Sequence, residues 1–140
     1  MLKAGLRAFS ILGLTVLIVI GFASQVFAQA GPFGPIHVTA NRRAYTGPGC
    51  PIDILYTATI NFVWPHAGGF VFNYHWERSD GAKTPVQMIR PQPNQRAMTL
   101  REPWRLGAPG QRYSASVTLF VNSGNTHLSE SSPVVLVTCG

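Results

Sequence analysis

A β-sandwich is the fold this sequence predicts, and three observations predict it. Apolar and polar residues alternate with a period of two in run after run, and no stretch shows the 3.6-residue period of a helix. Gly, Pro, Asn and Asp cluster between the runs, where turns need them. About 110 residues follow an N-terminal leader, enough for one core and for seven short strands.

The leader covers residues 1–30. "MLKAGLR" gives a positive start through Lys3 and Arg7, and "FSILGLTVLIVIGFA" is an apolar stretch of signal-peptide length. "SQVFAQA" supplies small residues at cleavage spacing, Val26 with Ala28 or Ala28 with Ala30, so the mature chain is expected to begin near Gln29 or Gly31. An uncleaved anchor would want a longer apolar run. The reading is a secreted chain, extracellular or periplasmic, with a domain over residues 31–140 and no membrane span after cleavage.

Within that domain "PIHVTA" puts Ile36 and Val38 on one face. "PIDILYTATINF" sets Ile52, Ile54, Tyr56, Ala58, Ile60 and Phe62 against Asp53, Thr57, Thr59 and Asn61. "GFVFNYHWE" sets Phe70, Phe72, Tyr74 and Trp76 against Asn73, His75 and Glu77. "TPVQMI" is a shorter strand with no assigned inward set. "RAMTLREPWRL" aligns Met98, Leu100, Trp104 and Leu106, although Glu102 falls on that face and Pro103 must bend or edge the strand. "RYSASVTLFV" aligns Tyr113, Ala115, Val117, Leu119 and Val121, and "SPVVLVTC" aligns Val135, Val137 and Cys139. Each sheet should therefore have one wet and one buried face.

The polar stretch "NYHWERSDGAKTPVQ" holds a histidine, a glutamate, a serine and an aspartate close together. Alternation sends Tyr74 and Trp76 inward and His75 and Glu77 outward, and Asp80-Gly81 supplies the positive-φ chemistry of a tight hairpin. Ser79 and Asp80 then sit at a solvated tip, where no base is held against a nucleophile. The stretch reads as structural. His37, His66, His75 and His127 are spread singly, without zinc-site spacing, and no phosphate-cradling loop or nucleophile elbow occurs. Five acidic residues leave little for a paired-carboxylate hydrolase. The expectation is a chain that is not an enzyme and uses no cofactor or metal.

The strand pattern, the tryptophan in "YHWERSDG" and the segment "LGAPGQRYSASVTL" resemble immunoglobulin-like and fibronectin-III-like sandwiches. "CP" opening a strand, "WERSDG" with "TPVQ", "WRLGAPG" and a final "TC" resemble small secreted bacterial immunoglobulin-like proteins. The resemblance covers most of residues 36–139. It implies a seven-stranded antiparallel sandwich and places Tyr113 where such folds carry the tyrosine that ties down a strand corner. Cys50 opens the second strand and Cys139 closes the last, unlike the bridge of antibody domains.

An even pair of cysteines in an exported chain reads as a disulfide, Cys50–Cys139. Strand direction agrees, because the second strand starts at the end where the seventh finishes. The same counting gathers the loops Val63–Gly69, Arg90–Gln95 and Asn122–His127 at the opposite end. Trp64, His66, Arg90, Asn94, Asn125 and His127 are the candidate binding residues there, on loops of a rigid scaffold. Beyond the leader nine lysines and arginines face five acidic residues, a net charge of about +4. That balance favours a protein, an anionic glycan or an envelope surface as partner and is too scattered for nucleic acid. Arg90, Arg96, Arg101 and Arg105 flank or occupy one strand and could share an outward face. The functional reading is a binding or structural module at the cell envelope or outside the cell. The alternatives are an adaptor or inhibitor of a specific protein and, third, a small hydrolase. Oligomeric state is left open.

Overall fold

The structure, a computed structural model, describes residues 31–63 and 69–140. The leader and the candidate residues Trp64 and His66 lie outside the described residues. Ten strands form among the described residues: β1 (Phe33–Ala40), β2 (Ala44–Gly47), β3 (Ile52–Phe62), β4 (Phe72–Arg78), β5 (Gln87–Ile89), β6 (Ala97–Leu106), β7 (Arg112–Ala115), β8 (Val117–Ser123), β9 (Thr126–Ser131) and β10 (Val135–Cys139). They bond in the orders β1-β3-β6, β2-β10-β7 and β5-β4-β8-β9, and no helix occurs among the described residues.

The last two sheets make one layer. β7 and β8 are one run interrupted at Ser116, and burial keeps its period of two across the break: Ala115, Val117, Leu119 and Val121 are all buried. Ser132 stitches the junction, its N–H donating to the Val117 carbonyl at 2.8 Å while its Oγ accepts from the Val117 N–H at 3.1 Å. This layer packs on β1-β3-β6. Phe33 meets Phe72 edge-on at 5.5 Å, and the Tyr56 hydroxyl crosses to donate to the Ala115 carbonyl at 3.1 Å. Full burial of side chains such as Phe33, Phe72 and Ile54 contributes about 1.5–3 kcal/mol each. Burial also pushes the Tyr56 hydroxyl up to about 12.

Two expectations need correction. Seven antiparallel strands were expected, but β2 and β9 add to them, and β2 runs parallel to β10 from Ala44↔Leu136 to Gly47↔Cys139. Both are sparsely buried edge strands with little apolar alternation to reveal them. Tyr113 does not tie a corner, because its hydroxyl donates to the nearby Gln111 side chain at 3.1 Å. The buried tyrosine that bonds a backbone carbonyl across the core is Tyr56. Glu102 does fall on the inward face with Leu100 and Trp104, as its parity implied, and is buried against Arg78 of the facing layer. Arg78 Nε and Nη2 donate to Glu102 Oε1 at 3.0 and 2.6 Å, and its guanidinium lies over Trp104 at 5.3 Å.

Cys50 and Cys139 are joined, 89 positions apart in sequence, as strand direction required. Closing so long a loop stabilises the fold by about 4–5 kcal/mol in the chain-entropy model. Gly107 covers the bridge at φ +114, where a Cβ would lie 2.8 Å from Cys139 Sγ. Pro103 sits on β6, an edge of its sheet, where a missing N–H is tolerated.

Candidate binding surface

In the polar hairpin the adjacent polar groups are engaged in the turn and its neighbouring strands. Arg78 N–H donates to the Ala82 carbonyl at 2.8 Å and Gly81 N–H to the Arg78 carbonyl at 2.9 Å. Gly81 alone takes the positive φ, +91, so the tip is a three-residue loop rather than a two-residue one. Ser79 Oγ accepts from the Ser116 N–H at 3.1 Å and lies 3.4 Å from the Ser114 carbonyl, which fastens the tip to the β7–β8 junction. Asp80 accepts from the Ala82 N–H at 2.9 Å. Glu77 faces outward between Lys83 at 2.7 Å and His75 at 3.1 Å, and hydrogen bonds from Lys83 and then His75 hold its carboxyl below the usual value.

At the end opposite the disulfide, register brings together the strand ends from which the predicted loops leave, residues 64–68 of the first loop lying outside the described residues. Phe33 faces Phe62, Asn61 faces Ala97, Phe72 faces Ile89 and Asn73 faces Asn122. Ser123 Oγ donates to the Val71 carbonyl at 2.9 Å, and a Cβ on Gly69 would touch the Pro91 carbonyl and Arg90 Cγ. Arg90 is exposed in this group.

Two of the predicted residues owe their place to turn chemistry. Gln95 N–H donates to the Gln92 carbonyl at 3.0 Å, with Pro93 second and Asn94 third in the turn at φ +61. Proline pre-sets the second position and asparagine tolerates the left-handed third, the pattern of a type II turn. Gly124 and Asn125 alone connect Ser123 to its partner Thr126, with Gly124 at φ +57. His127 is therefore in β9 and not in a loop. It is exposed on the outer face opposite Asn122, with Nδ1 2.6 Å from Asn122 Oδ1. That partner escaped the sequence reading, although "SGNT" read as a two-residue turn pairs the two positions.

Charge separates along the sandwich. Asp53 faces Arg105 near the disulfide, Glu77 and Asp80 belong to the hairpin at that end, Glu102 faces Tyr56 and Glu130 faces Leu119. The half that carries the loops holds Arg90 and Arg96 and, among the described residues, no carboxylate. Of the four arginines that flank or occupy one strand, two share an outward face. Arg101 and Arg105 point outward from β6, whereas Arg96 precedes the strand and Arg90 follows β5.

No family model matches the chain, and no curated protein matches it. Among solved structures the chain is similar to the CARDB domain of a Pyrococcus furiosus protein, solved in complex with di-metal ions. The TM-score is 0.51 at 14% identity, over 79% of this chain and 98% of that one. The likeness concerns the fold, and with the all-β layers above it shows an immunoglobulin-like β-sandwich.

Proposed function

We propose that this chain is an exported, non-catalytic binding module that takes an anionic partner at the end of the sandwich opposite the disulfide. The observation that carries the reading is the charge separation: Arg90 and Arg96 stand among converging loops with no carboxylate beside them among the described residues. A surface of one sign draws anions in and turns cations away. Loops on a rigid scaffold are where recognition concentrates, and His127, tethered by Asn122, adds a further donor beside them. The Cys50–Cys139 bridge supports export, since disulfides persist in oxidising compartments.

The groups with shifted pKa support the non-catalytic part of the reading. Tyr56 lies in the core, Tyr74 donates to Gln87, and Glu77 is held by Lys83 and His75 on an exposed face. They do not converge with a nucleophile in a closed site.

Charge reversal tests the surface. On a sulfated or carboxylated matrix, Arg90→Glu/Arg96→Glu should elute at far lower salt than wild type. Arg43→Glu/Arg112→Glu, with the same net charge, should keep most of the retention. Equal shifts for the two variants would reduce the effect to net charge and overturn the proposal.

A further inference from the structure

We infer that the anionic partner is a linear acidic glycan, which runs from the loop end along the outer face of β6. This deepens the reading above and rests on it for the loop end alone.

The outer face of β1-β3-β6 is built by strict alternation. One register row sets Thr39, Thr57 and Arg101 side by side, and the next sets His37, Thr59 and Thr99. These side chains are hydroxyl, imidazole and guanidinium groups, which donate to and accept from sugar hydroxyls and carboxylates. Asp53 is the acid of this face, and Arg105 already lies 3.4 Å from it. Arg101 is exposed and has no carboxylate partner among the described residues.

Arg96 ties this face to the loop end. Its carbonyl accepts from the Phe62 N–H at 2.8 Å, which fixes it at the head of β6. From there an extended backbone carries Arg101 about 16 Å further and Arg105 about 13 Å beyond that. Cations at such intervals suit a chain that bears charge repeatedly along its length, not a compact anion. The face offers no aromatic ring from Phe, Tyr or Trp, the platform on which single-stranded nucleic acids stack. A strip with two hydroxyl-bearing rows, the Leu55–Pro103 row and cations at intervals fits an extended polymer of sugar rings.

Calorimetry of the purified protein with polyuronate and sulfated oligosaccharides of increasing length, at fixed salt, tests this. Wild type should gain roughly five-fold in affinity when the ligand becomes long enough to reach Arg101 and Arg105, most of it from Arg101 because Asp53 lies beside Arg105. Arg101→Ala/Arg105→Ala should erase that gain, keep the affinity for short ligands and leave the melting temperature in place. Arg90→Ala/Arg96→Ala should weaken every length and keep the gain. A wild-type affinity flat with length, or a gain that survives Arg101→Ala/Arg105→Ala, overturns the track and leaves the loop-end reading standing. Silence of the Arg90 and Arg96 variant, with binding abolished by the β6 variant, overturns the loop end and supports the face. Tighter binding of a polyphosphate or single-stranded oligonucleotide of equal charge than of any glycan overturns the glycan assignment.

Discussion

Replacing Gly107 with alanine tests how the disulfide end is built. Gly107 sits at φ +114, outside the conformations open to L-residues without strain, and holding alanine there costs about 1–3 kcal/mol. The new Cβ would also lie 2.8 Å from Cys139 Sγ and 3.1 Å from Cys50 Sγ. Neither sulfur can retreat while bonded to the other, so overpacking adds about 1–3 kcal/mol. The total is about 2–6 kcal/mol, a large part of the stability of a small domain. In a Cys50→Ala/Cys139→Ala background both sulfurs are gone and only the β-carbon at position 50, 3.3 Å away, remains close, so most of the clash is relieved while the backbone strain stays. Gly107→Ala should then cost only about 1–3 kcal/mol, and the difference between backgrounds measures the contact. Urea unfolding followed by fluorescence of the buried Trp76 and Trp104 reads all four proteins, in sulfate so that each starts folded. An equal cost in both backgrounds would refute the contact argument.

The ion pair between the layers gives a second test. Arg78→Ala leaves the Glu102 carboxylate buried without its guanidinium and should cost about 3–5 kcal/mol, whereas Arg78→Met/Glu102→Leu should cost far less. Denaturant titration that finds the double variant as damaged as the single one would count against this account. A third test uses pH. The folded value of the Tyr56 hydroxyl is raised to about 12 from an ordinary 10, so its contribution is complete below pH 10 and is lost as pH rises through 12. Tyr56→Phe should cost about 1 kcal/mol at neutral pH through the lost bond to Ala115 and flatten the alkaline decline. An unchanged alkaline slope in urea titrations between pH 8 and 11.5 would refute it.

The inward residues of the long strands were legible because alternation in β3, β4, β6, β8 and β10 is a direct image of burial. The short edges were not. Ala44–Gly47 and Thr126–Ser131 carry little apolar signal, and what makes them strands is the backbone of β10 and β8 beside them. The break at Ser116 was invisible for a different reason: the alternation passes through it unchanged, so one sequence run supplies strands to two sheets. Arg78 follows Trp76 at the right parity to point inward, yet as the first residue of a turn it reads as polar punctuation. Only with both layers in view does it become the partner of Glu102. The gathering of loops at one end followed from counting strand directions, whereas the place of His127 required the exact length of the Gly124-Asn125 turn. The absence of acid from that half depends on register, which a linear sequence does not display.

The disulfide has a mechanical consequence. Tension applied between residues 31 and 140 enters the chain through β1 and β2, reaches Cys50, crosses the covalent bridge and leaves at Cys139. Residues 51–138, which hold most of the core, lie outside that path. At about 3.5 Å per residue, the twenty residues from 31 to 50 can pay out about 70 Å, against about 380 Å for the whole stretch without the bridge. Such a pull peels the first two strands and stops, leaving β3 to β10 closed in a loop that force cannot lengthen. A module tethered at one terminus and loaded at the other would thus yield by a short, fixed increment while the loop-bearing end keeps β4, β6 and β8 in register.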